Sequence, residues 1–170
     1  MIEFVDVKRL NAYVQMVGKL DHLLKKKENL SEQFSSVHGI DYERMKVDNG
    51  GRVATSSQER LVMALEKVNA DIDSLKWKVK AEHDVIKIQI SRLPKWHYCE
   101  LLVLRYLEGW KWSEITESFF GSEEDFEDEP EKYKSKTMKW RASAIELLET
   151  ISSKPYVSII PSRKQLTIND

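Results

Sequence analysis

A chain of 170 residues with 32% charged side chains, six glycines and four prolines has room for one globular domain plus extended parts. That composition favours an all-helical, solvent-rich shape over a compact α/β enzyme. The formal net charge is −1, so affinity for a polyanion has to come from how charge is distributed along the chain. A single cysteine, Cys99, excludes an internal disulfide and a thiolate zinc cluster and suits a reducing cytoplasm.

The opening MIEFVDVKRL has no basic segment leading into an apolar core, and no apolar run approaches spanning length. A soluble, cytoplasmic chain with no membrane partner is expected. Val7, Leu10, Val14, Val17, Leu20 and Leu24 recur three or four residues apart, which predicts a first long helix over 3–36 with these side chains inward. Lys25, Lys26 and Lys27 read as its solvated tip. Asp48, Asn49, Gly50 and Gly51 stand in a stretch without sustained period, which predicts a long loop over 37–56. GGRVATSS (50–57) lacks the Gly-Lys-Ser/Thr ending that brings a lysine to phosphates, so nucleotide binding is not expected there.

Leu61, Leu65, Val68, Ile72, Leu75, Val79, Ile86, Ile90 and Leu93 keep a spacing close to 4-3-4-3, interrupted once at Glu82 or His83. This is coiled-coil periodicity starting at the serine caps Ser56 and Ser57. A rod of this length, roughly 55 Å at 1.5 Å per residue, cannot bury its stripe alone. It needs the first helix folded back antiparallel, or a second copy of the chain. Further apolar residues off that seam (Val62, Trp77, Val85, Ile88) also point to a homo-oligomer. His83 is either packing that the seam tolerates or a pH switch.

Pro94 ends the rod, because the residue before a proline resists the α region. Residues 94–151 then read as a second domain after the 1–93 hairpin. WHYCELLVLRYLEG (96–109) is a helix with Leu101, Leu102 and Leu104 inward, closed by Gly109 where a left-handed C-cap is required. WSEITESFF (112–120) is a second helix with Trp112, Ile115 and Phe119 on one face. The stretch 121–131 carries seven carboxylates and no base. It lacks the Asp-x-Asp-x-Asp-Gly ladder of a calcium loop, so it is expected as a solvated acidic loop.

The last helix starts near Pro130, and 131–141 has a net charge of plus four from Lys132, Lys134, Lys136, Lys139 and Arg141 against Glu131. A helical wheel puts Met138, Ala142, Ile145 and Leu148 inward, and Lys136, Trp140 and Ser143 outward with Thr137 and Lys139 on the flanks. That outward face suits a major groove. Trp140 with Ala144 and Leu147 also makes an outward apolar strip, the alternative being a protein interface. The tail 152–170 is an extended arm or a docking strand.

LLVLRYLEGWKWSEI (101–115), followed by TMKWRASAIELL (137–148), resembles the helix-turn-helix of sigma-70 region 4. The order DYERMKV (41–47), a Gly-rich patch, a long heptad helix and that module is similar to the ArpU/RinA-like late-gene regulators encoded by phages of Gram-positive bacteria. Lys111 and the acidic insertion depart from that pattern. The resemblance implies a transcription regulator that binds a promoter element in double-stranded DNA and contacts host RNA polymerase. It implies base contacts from Lys136, Thr137 and Trp140 and phosphate contacts from Lys132, Lys134, Lys139 and Arg141.

The expectation is therefore all-α: a long antiparallel coiled-coil hairpin followed by a helix-turn-helix. Catalysis is not expected, and neither is a cofactor, since no nucleophile elbow or phosphate cradle is present and His22, His38, His83 and His97 are scattered. Two other classes stay open, a small terminase-like packaging protein and an inhibitor whose acidic loop occupies a basic channel of a host protein.

Overall fold

The computed structural model describes residues 4–37 and 57–153, all helices and connections with no strand among the described residues. Five helices follow in order: α1 (Val7–Val37), α2 (Ser57–Ile90), α3 (Trp96–Leu102), α4 (Trp112–Phe120) and α5 (Pro130–Ser152). A π-helical turn, Val103–Leu107, extends α3. No described helix is long and apolar enough to cross a membrane. Residues 38–56 of the expected loop and the tail beyond Ser153 lie outside the described residues.

Long α1 and α2 lie side by side in opposite directions. Near the start of α1, Arg9 donates to both carboxylate oxygens of Glu82, at 2.8 and 3.0 Å. Tyr13 meets the ring of His83 at 6.3 Å. Glu82 and His83, the break in the α2 stripe, are thus the polar layer where α1 is held in register. Every other member of that stripe is buried or half-buried as predicted.

On α1 the predicted face is rotated. Val14, Val17 and Leu24 are 40%, 39% and 42% exposed, while Leu10 and Tyr13 are buried and Met16, Leu20 and Leu23 half-buried. Two apolar stripes overlap on this helix. The Arg9–Glu82 and Tyr13–His83 contacts select the one containing a tyrosine.

The α-helical part of α2 stops at Ile90, three residues short of the predicted end. Its last turn tightens through Arg92 N–H to Gln89 O and Leu93 N–H to Ile90 O, because Pro94 denies Leu93 the helical region. The Cys99 thiol then donates towards the Ile90 carbonyl (3.3 Å), so the cysteine caps the rod. Burial pushes that thiol's pKa up.

One apolar core runs across Pro94. It joins Val5, Leu10 and Tyr13 to Ile86, Ile90 and Leu93 from α2, and to Tyr98, Leu101, Leu102, Leu104, Tyr106, Ile115, Ala144 and Leu148. The Ser152 hydroxyl, fully buried, donates to the Val5 carbonyl at 3.1 Å. The end of α5 is therefore pinned to the start of α1, and the short helices share their interior with the base of the hairpin.

Candidate nucleic-acid interface

The turn between α3 and α4 is made by one glycine. Gly109 has φ +80°, and the Trp110 N–H reaches back to the Leu104 carbonyl at 2.9 Å, as a left-handed C-cap requires. Lys111 caps the start of α4, its N–H donating to the Glu114 carboxylate at 2.7 Å. The reciprocal hydroxyl that a Ser or Thr cap would offer is missing, because an ammonium has no acceptor.

The rotation of α5 is set by what α4 and the acidic loop offer it. Thr137 is fully buried and its hydroxyl donates to the Tyr133 carbonyl at 3.0 Å while meeting the Thr116 hydroxyl at 3.1 Å. Tyr133, also buried, stacks on Phe120 at 5.1 Å and donates its phenol to Asp125. The inward positions are Tyr133, Thr137, Ala144 and Leu148. Ala142, expected inside, is exposed, and Met138 is only half-buried. Relative to the expected inner face, α5 is turned by about one residue, roughly 100°.

Two expected base contacts are corrected by this turn. Thr137 cannot reach a base edge, because it sits inside the α4–α5 contact. Trp140 does not point freely outward. It is half-buried in an aromatic cluster, 4.5 Å from His97, 5.7 Å from Phe119 and 5.1 Å from Phe120. The outward Trp140–Ala144–Leu147 strip is likewise absent, since Ala144 is fully buried and Leu147 packs against the core. Within the cluster, burial and then the neighbouring Lys95 charge lower the pKa of His97.

Lys132, Lys134, Lys136 and Lys139 are all exposed; at about 100° per residue Lys132, Lys136 and Lys139 share one side of the helix with Ser135 and Ala142, and Lys134 lies at the other edge. Ser143 is half-buried at its edge. The two N-terminal lysines are tied to carboxylates: Lys132 to Asp125 and to Glu129 (3.0 Å), Lys134 to Glu131 (3.2 Å). Those bonds raise the pKa of Lys132, with Asp125 the larger cause, and hold the Asp125 carboxyl below its ordinary range. Lys136 instead lies over aromatic rings, 4.5 Å from the Phe120 centroid and 5.6 Å from Trp140. Lys139 has no ion pair among the described residues.

Arg141 is half-buried, with its guanidinium 5.5 Å from the centre of the Trp112 ring. Arg105 approaches the same ring at 5.2 Å and donates to the Trp110 carbonyl. Trp112, expected on the apolar face of α4, is half-buried against the core, and Arg105 is a site residue that the apolar spacing does not single out. A basic residue one helical turn before a Gly-Trp pair was the available signal. No group of three or more metal-ligating side chains is present among the described residues. Comparison with known protein families, curated proteins and solved structures returns no match.

Proposed function

We propose that this chain is a DNA-binding transcription regulator, in which α4 and α5 act as a helix-turn-helix on a coiled-coil body and α5 enters the major groove. The observation that carries this reading is the exposed row of Lys132, Lys136 and Lys139 along one side of a helix whose opposite side is buried, with Lys134 exposed at the other edge. No described segment covers that row. Small residues lie among the lysines, Ser135 and Ala142, which lets a helix approach base edges closely.

With Thr137 inside, the base-facing side consists of Ser135, Lys136, Lys139, Ala142 and Ser143. Lys132, Lys134 and Arg141 flank it as phosphate contacts. Lys136 and Lys139 carry most of the affinity, since neither is bound to a carboxylate. The resemblance to sigma-like phage late-gene regulators supplies the second half of the proposal, contact with host RNA polymerase at a promoter element.

Selection of bound DNA from a random or phage-genome library tests this reading, run with wild type, Lys136→Glu and Lys139→Glu. Wild type is expected to enrich a sequence, and the two variants to lose it with helicity unchanged. Absence of any enrichment by wild type would leave the inhibitor reading. That reading is favoured by Glu123, Glu124, Glu127 and Asp128, which are exposed and without an ion-pair partner among the described residues.

A further inference from the structure

The back of α2, facing away from α1, carries Met63, Trp77 and Ile88 at 62%, 75% and 56% exposure. Met63, Ala70, Trp77 and Asp84 recur every seven residues, and Lys67, Ser74, Ala81 and Ile88 lie four further on. All of these are exposed. This is a second stripe at heptad spacing, about 37 Å long at 1.5 Å per residue, on a helix whose other side packs against α1.

We propose that a second copy of this chain packs on that face, α2 against α2 and antiparallel, about a two-fold axis beside Trp77. The proposal goes beyond the DNA-binding reading and does not rest on it. Charge decides the occupant and the direction. In the antiparallel register Ile88 meets the partner's Met63, Ala81 meets the partner's Ala70, and Trp77 packs over the partner's Ser74. The end layer then pairs Lys67 with the partner's Asp84.

The same register satisfies both edges of the seam. Along one edge Glu66 faces the partner's Lys87 and Asp73 faces the partner's Lys80. Along the other, Asp71 faces the partner's Lys78. The two-fold repeats each contact. These six edge residues are exposed, and none has an ion-pair partner among the described residues. A parallel pairing would set Lys67 on Lys67, Asp84 on Asp84 and Glu66 beside Asp71, like charge on like, against one opposite-charge pair, Asp73 beside Lys78. Charge on this face therefore favours the antiparallel direction.

Sedimentation of the full chain tests this, with dimer and monomer read against the chain mass of 19.9 kDa. Wild type is expected to be dimeric, and Trp77→Glu to raise the dimer dissociation constant about 30-fold or more, as for a central aromatic anchor. Because Trp77 is outside the core, helicity stays unchanged. Asp73→Lys is expected to weaken the dimer, and adding Lys80→Glu to the same chain to restore it, since the exchanged charges still face each other. In a Cys99→Ser background, Ala70→Cys mixed with Ala81→Cys should cross-link while Ala70→Cys alone should not. A wild-type monomer at about 100 µM, an unchanged constant in Trp77→Glu, no rescue by the exchange, or cross-linking of Ala70→Cys to itself would each overturn the proposal.

Discussion

Two substitutions on α5 give opposite results depending on which way the helix is turned. Thr137 is fully buried, with its hydroxyl against the Tyr133 carbonyl and Thr116, and Ala142 is exposed. Thr137→Val removes one donor but keeps the shape. Thr116 retains its bond to the Trp112 carbonyl at 2.8 Å, so the cost is that of one neutral hydrogen bond, about 1 kcal/mol. For a chain of this size that lowers Tm by roughly 2–4 °C.

Thr137→Lys instead forces an ammonium into the α4–α5 contact and should cost about 3 kcal/mol or more. Ala142→Glu sits in water and should change stability by no more than about 0.5 kcal/mol. It does place a negative charge among the lysines, so DNA affinity falls while Tm does not. Calorimetry on the three variants, with anisotropy on the selected DNA, reads all of this. Unfolding by Ala142→Glu together with tolerance of Thr137→Lys would show that α5 has the other face inside.

Neutralising Asp125 and Glu129 (Asp125→Asn, Glu129→Gln) releases Lys132, so DNA binding should tighten and the salt slope steepen by about 0.9 for the one added phosphate contact; an unchanged slope would mean Lys132 does not reach the backbone. The Asp125 pKa is lowered by hydrogen bonds from Lys132 and Tyr133. Its contribution to stability is therefore present above the ordinary carboxylate range and lost as pH falls through the lowered value. Asp125→Asn should be destabilising near neutral pH and indistinguishable from wild type in strong acid, as checked by urea unfolding at the two pH values. Gly109→Ala meets no atom within 4 Å but must hold φ +80°, so backbone strain alone should cost about 1–2 kcal/mol in a denaturant titration. Cys99 should react with a thiol reagent more slowly than an unstructured cysteine at the same pH, because burial raises its pKa, and Cys99→Ser should keep the cap on Ile90.

What was legible in the chain followed from regular spacing. The α2 stripe from Leu61 to Leu93 repeats closely enough that its inner face could be read directly, and Gly109 after an apolar run marked the C-cap where the backbone turns left-handed. The rotations of α1 and α5 were not legible, for a shared reason. Each helix offers two overlapping faces, and the buried one holds residues that do not read as apolar: Tyr13 beside His83 on α1, and Tyr133 and Thr137 on α5. These bury polar groups whose partners lie on the helix's own backbone or on other segments, the Tyr133 carbonyl and Thr116 for Thr137 and Asp125 for Tyr133. Met138 and Ala142 look like core by type, but Ala142 is exposed and Met138 only half-buried. The run of carboxylates in 121–131 predicts only a solvated loop, yet Asp125 and Glu129 grip the start of the cationic helix.

Lysine acylation followed by mass spectrometry, with and without the selected DNA, examines the central claim at the residues themselves. The α5 face should be shielded by duplex at Lys134, Lys136 and Lys139, with Lys25, Lys26 and Lys27 at the far end of α1 labelled equally in both samples. Equal labelling of the three α5 lysines in both samples, with shielding on the long helices instead, would contradict the account.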